Sequence, residues 1–157
     1  MADRMGAEIS IGGRLKRCSL QQLAEALSSE SFDDANADAE ADSLVALADL
    51  GEHFEGHACE VAWGEFPDLE AKCRELGLTY VRTSEPKYEY NGEYVYFSPE
   101  TGILQWQRNS SGHIVFTADE LEELFPANVT DEELRAAHVK LLAMIDVAEC
   151  PPLDIVD

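Results

Sequence analysis

The sequence predicts an α+β fold: a mainly antiparallel β-meander sheet with helices packed on one face and a C-terminal helix. Three observations favour this class. Short alternating segments separated by turn residues fill the middle of the chain, leucine-striped segments flank them, and 45% of the 157 residues are hydrophobic. Because this length fits one folded unit, we expect a single domain over residues 1–157, with a candidate flexible acidic segment at about 29–42.

In the N-terminal half, strands are predicted to alternate with helices that have recognisable ends. Ser19 and Gln22 have the spacing of a capping box, Pro67 suits the first turn of a helix, and Gly77 suits its end. The predicted elements are, in order, a strand at 7–11 ended by Gly12-Gly13, a helix after Ser19, a short helix at 43–50, a strand at 59–63, a helix from Pro67 to Gly77 and a strand at 78–82.

The strongest local signal is a predicted β-hairpin around Asn91-Gly92, because this dipeptide favours the positive φ angles of a type I′ turn. The two-residue turn would pair Tyr90 with Glu93. Tyr94 and Tyr96 would then share one face of the hairpin, opposite a second aromatic set. If helices cover one face only, Tyr94 and Tyr96 become candidate anchors for a partner.

The C-terminal third predicts two further strands and two acidic helices. The strands lie at 103–107 and 113–116, and capping boxes at Thr117–Glu120 and Thr130–Glu133 begin the helices. The last helix should run over about 131–149 and close the core through an apolar stripe. His138 lies on that stripe, which indicates a partly buried histidine and not a catalytic base.

Charge is the most informative functional signal, because the chain has 32 acidic and 11 basic residues and a net charge of −21. Residues 1–29 hold three acids and four bases, a net of +1, so residues 30–157 carry 29 acids and seven bases, a net of −22. Two stretches contain no Lys or Arg, one between Arg17 and Lys72 and one from Asn109 to Leu134. A field of this sign repels nucleic acid and attracts basic protein surfaces.

We therefore expect an acidic protein-interaction module that occupies a basic, nucleic-acid-binding groove of a partner protein as a nucleic-acid mimic and inhibitor. Its carboxylates would come from segments 30–70 and 117–133. The predicted partner-binding residues are Asp119, Glu120, Glu122, Glu123, Asp131, Glu132, Glu133, Tyr94 and Tyr96. In character the chain is similar to small acidic proteins of phages and mobile elements that block CRISPR or restriction complexes, although no residue motif carries this likeness. Adaptation to a high-salt cytoplasm is the competing explanation of the acidity.

Two other function classes stay open at this point. His53, His57 and Cys59 supply ligand types suited to zinc, which would indicate a small metal-binding enzyme or sensor. The aromatic hairpin face would instead indicate a scaffold subunit. The acidic run from Asp34 to Asp42 does not fit a calcium loop, because Ala39 and Val45 stand where glycine and glutamate are needed.

No catalytic motif is recognisable, so we expect neither an enzyme nor a bound cofactor or metal. Direct nucleic-acid binding is not expected because the protein would add negative charge to the phosphates. The N-terminal residues lack the apolar run of a signal peptide, and no stretch of the sequence approaches a membrane span. Four cysteines without CxxC spacing are typical of reduced thiols, which predicts a cytoplasmic protein without a membrane partner.

Overall fold

The computed structural model describes residues 3–88, 90–145 and 149–157 and confirms the predicted α+β class. Within these ranges the strands are β1 (Arg4–Lys16), β2 (Asp34–Ala35), β3 (Phe54–Ala62), β4 (Thr79–Ser84), β5 (Gly92–Ser98), β6 (Gly102–Arg108), β7 (Ile114–Val115) and β8 (Leu153–Val156). The α-helices are α1 (Leu20–Ser28), α2 (Ala41–Asp49), α3 (Pro67–Leu76), α4 (Ala118–Leu124) and α5 (Asp131–Ile145).

The long strand β1 organises the sheet, whose order is β2-β3-β1-β4-β5-β6-β7 with antiparallel neighbours throughout. The first part of β1 pairs with β3 on one side and β4 on the other. Its last part, from Gly13 to Lys16, pairs in parallel with β8. Gly12-Gly13 therefore does not end the strand as predicted. The strand continues through Gly13, which has a φ of 99°, a backbone conformation that glycine adopts readily.

Helices α1, α2 and α3 pack on one face of this sheet. Odd-numbered residues of β1 point to this core face, where Ile9 and Ile11 are buried, whereas Glu8 on the outer face is exposed. This alternation follows from the two-residue period of a strand. Each helix contributes fully buried leucines to the same cluster, among them Leu23, Leu27, Leu44 and Leu69.

A buried ion-pair network ties α3 to the sheet. Arg82 of β4 is 3% exposed, and its Nε lies 2.8 Å from Oε1 of Glu70 on α3, although this N–H is not aimed for a hydrogen bond. The Nη2 group of Arg82 lies 3.1 Å from Oε2 of Glu93 on β5, and Nη1 donates to the Gly64 carbonyl oxygen at 2.7 Å. The carboxylates of Glu70 and Glu93 therefore stabilise the fold.

The predicted hairpin register at Asn91-Gly92 is wrong. Strand β5 pairs instead with β4, so that Thr83 lies opposite Tyr94 and Val81 opposite Tyr96. The loop between these strands contains an isolated bridge between residues 87 and 90, and residue 89 of the predicted hairpin lies outside the described residues. Because β5 has neighbours on both sides and buries Val95 on the core face, long-range pairing sets its register and outweighs the local turn preference.

Several local predictions hold, and several need correction. The helix from Pro67, its end at Gly77 and the capping boxes at Thr117 and Thr130 are confirmed. Ser19 is the N-cap of α1, but its side chain makes no capping bond because a 3₁₀ turn at Arg17–Ser19 holds its backbone in a helical conformation. Strands β2 and β8 were not expected, since each is short and needs a distant partner.

The acidic segment at about 29–42 contains the edge strand β2 and a bonded loop. The Asn36 amide nitrogen donates to the His53 carbonyl oxygen at 2.9 Å, and Asn36 Oδ1 accepts from the Glu55 N–H at 2.8 Å. The Asp33 N–H donates to the His57 carbonyl oxygen at 2.8 Å. These bonds attach the segment to β3.

Candidate protein-binding surface

Helices α4 and α5 form a helical arm, residues 117–142, that follows β7 at one edge of the sheet. β2 lies at the opposite edge. No described residue of this arm is buried, and none belongs to the hydrophobic core cluster. The predicted role of the last helix in closing the core is therefore wrong for the described residues. His138 is exposed, and residues 146–148 of the predicted helix lie outside the described ranges.

The capping boxes fix the start of each helix of the arm and occupy two of its carboxylates. Oε2 of Glu120 accepts from the Thr117 N–H at 2.7 Å and from the Thr117 hydroxyl at 2.9 Å. Glu133 makes the same pair of bonds to Thr130, at 2.8 and 2.9 Å. These backbone and hydroxyl donors lower the pKa of both Glu120 and Glu133. Both glutamates therefore have a structural role besides any role in binding.

The other five predicted carboxylates of the arm are exposed: Asp119, Glu122, Glu123, Asp131 and Glu132. Among the side chains that the structure describes, none of the five takes part in a salt bridge or accepts a side-chain hydrogen bond. The sequence of the arm holds seven acids against two bases, Arg135 and Lys140. The arm thus presents a strongly negative surface on two helices whose first turns are fixed by capping boxes.

Apolar side chains are interspersed with these carboxylates. Leu121, Leu134, Val139 and Leu142 are between 41% and 66% exposed. Val139 and Leu142 are three residues apart, so that they share one side of α5. Exposed aliphatic groups in an otherwise acidic arm suit a partner surface that is basic and partly apolar.

A second acidic surface lies at the opposite edge, around β2, α2 and β3. We call it the edge surface and define it by the exposed acids Asp33, Asp34, Asp38, Glu40, Asp42, Asp49, Glu52, Glu55 and Glu60. Several of its carboxylates have local partners. Glu55 lies 2.9 Å from His53 Nε2, and Asp33 Oδ2 accepts from the Cys59 N–H at 2.6 Å. The predicted binding segment 30–70 therefore also contains groups that stabilise the fold, Glu70 above all.

Tyr94 and Tyr96 lie on the outer face of the sheet but are not free anchors. Tyr96 is buried, and the half-buried ring of Tyr94 lies 5.5 Å from the ring of buried Trp106. Burial raises the pKa of the Tyr94 hydroxyl. Both tyrosines thus contribute to a second packed layer, and this burial disfavours their predicted role as partner anchors.

Two exposed aromatic residues lie at the end of the sheet where β1 begins. Trp63 is 49% exposed and Tyr88 is 89% exposed, and both have a positive φ, of 58° and 54°. The Trp63 N–H donates to the Asp3 carbonyl oxygen, and Lys87 Nζ donates to the Arg4 carbonyl oxygen, so both loops are fastened to the start of β1. The exposure of Trp63 was not expected, because residues 59–63 were predicted as a strand, whereas β3 ends at Ala62 and Trp63 lies in the loop that follows.

The predicted ligand set His53, His57 and Cys59 is only partly brought together. His53 pairs with Glu55, whereas His57 and Cys59 come together with Asp33. Neighbouring strands place Glu8 opposite His57 on the outer face. Asp33 was not recognisable as a member of this cluster because it lies 24 residues before His57 and reaches it only through the pairing of β2 with β3.

No protein-family model, curated protein or solved structure matches this chain. None of the helices in the described ranges has the length and hydrophobicity that crossing a bilayer requires. The function must therefore be inferred from the charge, exposure and geometry of the residues themselves.

Proposed function

We propose that this protein is an acidic interaction module that binds the basic, nucleic-acid-binding groove of a partner protein through its helical arm and so inhibits that partner. The observation that carries the proposal is a set of five exposed carboxylates without described partners. They lie on an arm of which no described residue belongs to the core cluster. In a chain without recognisable catalytic motifs, such a surface favours binding and not catalysis.

Carboxylates can replace the phosphates of a nucleic acid, because both are anionic acceptors for Lys and Arg. In the arm, Asp119, Glu122 and Glu123 follow one helix start, and Asp131 and Glu132 follow the next. The capping boxes order both starts before binding, which lowers the conformational entropy that association must overcome. Because none of the described side chains forms an ion pair with these carboxylates, binding a basic groove requires only that they be desolvated.

The distribution of charge argues against salt adaptation as the main cause of the acidity. General adaptation would spread acids over the surface, whereas here residues 1–29 have a net charge of +1 and residues 109–134 contain no base. The exposed leucines and valine of the arm also have no role in salt tolerance. Both features fit a surface selected for one partner.

The test compares two variants with the same change in charge. The arm variant replaces Asp119, Glu122, Glu123, Asp131 and Glu132 with their amides and leaves the capping glutamates intact. The control variant does the same to five exposed acids of the edge surface, Asp38, Glu40, Asp42, Asp49 and Glu52. Each tagged protein is incubated with extract from the source cells at low and high salt, and bound proteins are identified by mass spectrometry.

We expect the natural protein to retain a basic nucleic-acid-binding protein at low salt and to release it at high salt, because exposed charges are screened over about 8–10 Å. The arm variant should bind that partner at least about tenfold more weakly, which needs only ~0.3 kcal/mol for each removed charge. An oligonucleotide that the partner binds should compete with the natural protein. Recovery of no basic partner, or equal binding by the arm and natural proteins, would overturn the proposal.

A further inference from the structure

A cluster of three different metal-ligand types lies on the outer side of β3. His57 and Cys59 are two residues apart in β3, so their side chains point to the same face. Asp33 reaches them from the residue before β2, which pairs with β3. One ligand atom from each of the three residues lies within 4.8 Å of the others.

We propose that Asp33, His57 and Cys59 form a binding site for a divalent transition-metal ion of the zinc class. The carboxylate oxygen, imidazole nitrogen and thiolate sulfur are the three donor types that zinc uses in proteins. The site shares no residue with the arm, so metal binding can be tested independently of the proposed function.

Two hydrogen bonds with the backbone of β3 hold Asp33 in place before any ion binds. The Asp33 N–H donates to the His57 carbonyl oxygen at 2.8 Å, and the Cys59 N–H donates to Asp33 Oδ2 at 2.6 Å. Asp33 is thereby fixed against both other ligands. Cys59 is exposed and His57 is partly exposed, so small rotations of these two side chains can close the donors to the roughly 3.5–4 Å separation that ligands 2.0–2.3 Å from one ion require.

Other carboxylates near the cluster favour the binding of a cation there. Glu60 follows Cys59 in the chain, and Glu85 lines the same depression as Cys59. Glu8 lies opposite His57 on β1. In a chain of net charge −21, a divalent ion would relieve repulsion among these carboxylates.

The donor set also selects the kind of ion. Thiolate and imidazole favour zinc and related later transition metals, whereas calcium and magnesium require oxygen ligands. His57 lines two depressions on the outer face and Cys59 lines a third, so the cluster is open to solvent on several sides. Three protein ligands with such access leave a fourth coordination position for water or another small ligand.

The experiment titrates the full chain with cobalt(II), after chelator treatment and under reducing, chelator-free conditions, followed by displacement with zinc. Cobalt bound by a cysteine thiolate gives a near-ultraviolet charge-transfer band, so the band reports ligation by sulfur. We expect one equivalent of cobalt per chain, and we expect zinc to remove the band. The Cys59→Ser variant should lose the band, and His57→Gln should bind zinc at least tenfold more weakly, since even groups that only orient a ligand contribute 10–100-fold.

Two control variants and one conservative ligand variant separate ligation from a change in fold. Cys18→Ser and His138→Gln remove an exposed cysteine and an exposed histidine elsewhere and should leave the band unchanged. Asp33→Asn keeps an oxygen that can accept from the Cys59 N–H, so it should weaken metal binding while the circular dichroism spectrum is retained.

A second readout uses thiol alkylation by iodoacetamide, followed by peptide mass spectrometry. Zinc should slow the alkylation of Cys59 and leave that of Cys18 unchanged, which serves as a reference in the same molecule. A band that persists in Cys59→Ser or disappears in Cys18→Ser would overturn the proposal. Equal protection of both cysteines, or no binding of cobalt or zinc, would do so as well.

Discussion

The body of the protein and its helical arm differ in how many residues they bury and in whether their acidic residues have partners. The body comprises β1 to β5, α1 to α3, the loops that join them, and β8. All 19 described residues of the buried core cluster come from it. The arm, residues 117–142, has no buried residue among those described. Acids in the body often have structural partners, as Glu70 and Glu93 do with Arg82, whereas five of the seven arm acids have no described partner.

This difference separates the acidic residues that stabilise the fold from those that are available for binding. Charge that is bonded within the fold contributes to stability, so removing it should destabilise the protein. Carboxylates that form no bond within the fold lower its stability, because they repel one another. Their presence therefore favours a role in binding another molecule. The two kinds cannot be separated by composition, because Glu70 and Glu122 are the same residue type.

The largest expected effect comes from breaking the buried network of the body. Replacing Arg82 with Met should destabilise the protein by about 3–5 kcal/mol, because Glu70 would be left as an uncompensated buried charge. Urea denaturation measures the change. The matched control is Arg135→Met on the arm, where we expect a change within about 0.5 kcal/mol. Equal effects of the two substitutions would contradict the division into body and arm.

Replacing leucines with alanine compares the packing of the body with that of the arm. Leu23 on α1 is fully buried, so Leu23→Ala should cost about 2–5 kcal/mol through lost contacts and the cavity left behind. Leu142 on α5 is 52% exposed, and Leu142→Ala should change the free energy of unfolding by about 0.5 kcal/mol or less. Thermal melts of both variants give the answer. A large loss for Leu142→Ala would show that the arm is packed after all.

A glycine substitution tests whether β8 belongs to the body. A Cβ atom on Gly12 would lie 1.7 Å from the Pro151 carbonyl oxygen, so Gly12→Ala must displace the chain that leads into β8. We expect a loss of about 1–3 kcal/mol, the usual cost of overpacking. Ser10→Ala, two residues earlier on the same strand face, is the control and should be nearly neutral. Unchanged stability of Gly12→Ala would mean that β8 contributes little.

The smallest expected effect is the response of the arm to acid. Hydrogen bonds from Thr117 and Thr130 lower the pKa of Glu120 and Glu133 below the value of about 4.3 that holds in the unfolded chain. A lowered pKa gives stability that is complete above the unfolded value and is lost as the pH falls through the folded value. Circular dichroism between about pH 6 and 2 should therefore show the arm losing helix on acidification.

The control for this acid response is the double variant Glu120→Gln/Glu133→Gln, in which no cap carboxylate titrates. Its arm should be less helical near neutral pH and should change less on acidification. An identical acid transition in both proteins would assign the loss of helix to other carboxylates.

Signals that act within a few residues were readable from the sequence. Pro67 and Gly77 mark the ends of α3, and the Thr117 and Thr130 boxes mark the starts of α4 and α5, because each acts through bonds or dihedral angles of its own turn. Hydrophobic patterning predicted the α+β class, and the charge distribution predicted an acidic surface at 117–133, which the structure leaves exposed.

Tertiary structure alone decided which distant groups meet. The register of β5 depends on β4 and β6, the continuation of β1 depends on β8, and the Arg82–Glu70 pair joins a strand to a helix. The Asp33–His57–Cys59 cluster likewise exists only because β2 pairs with β3. Local sequence reports the preference of each turn, but the free energy that selects a register comes from burying both faces of the sheet, and that depends on the whole chain.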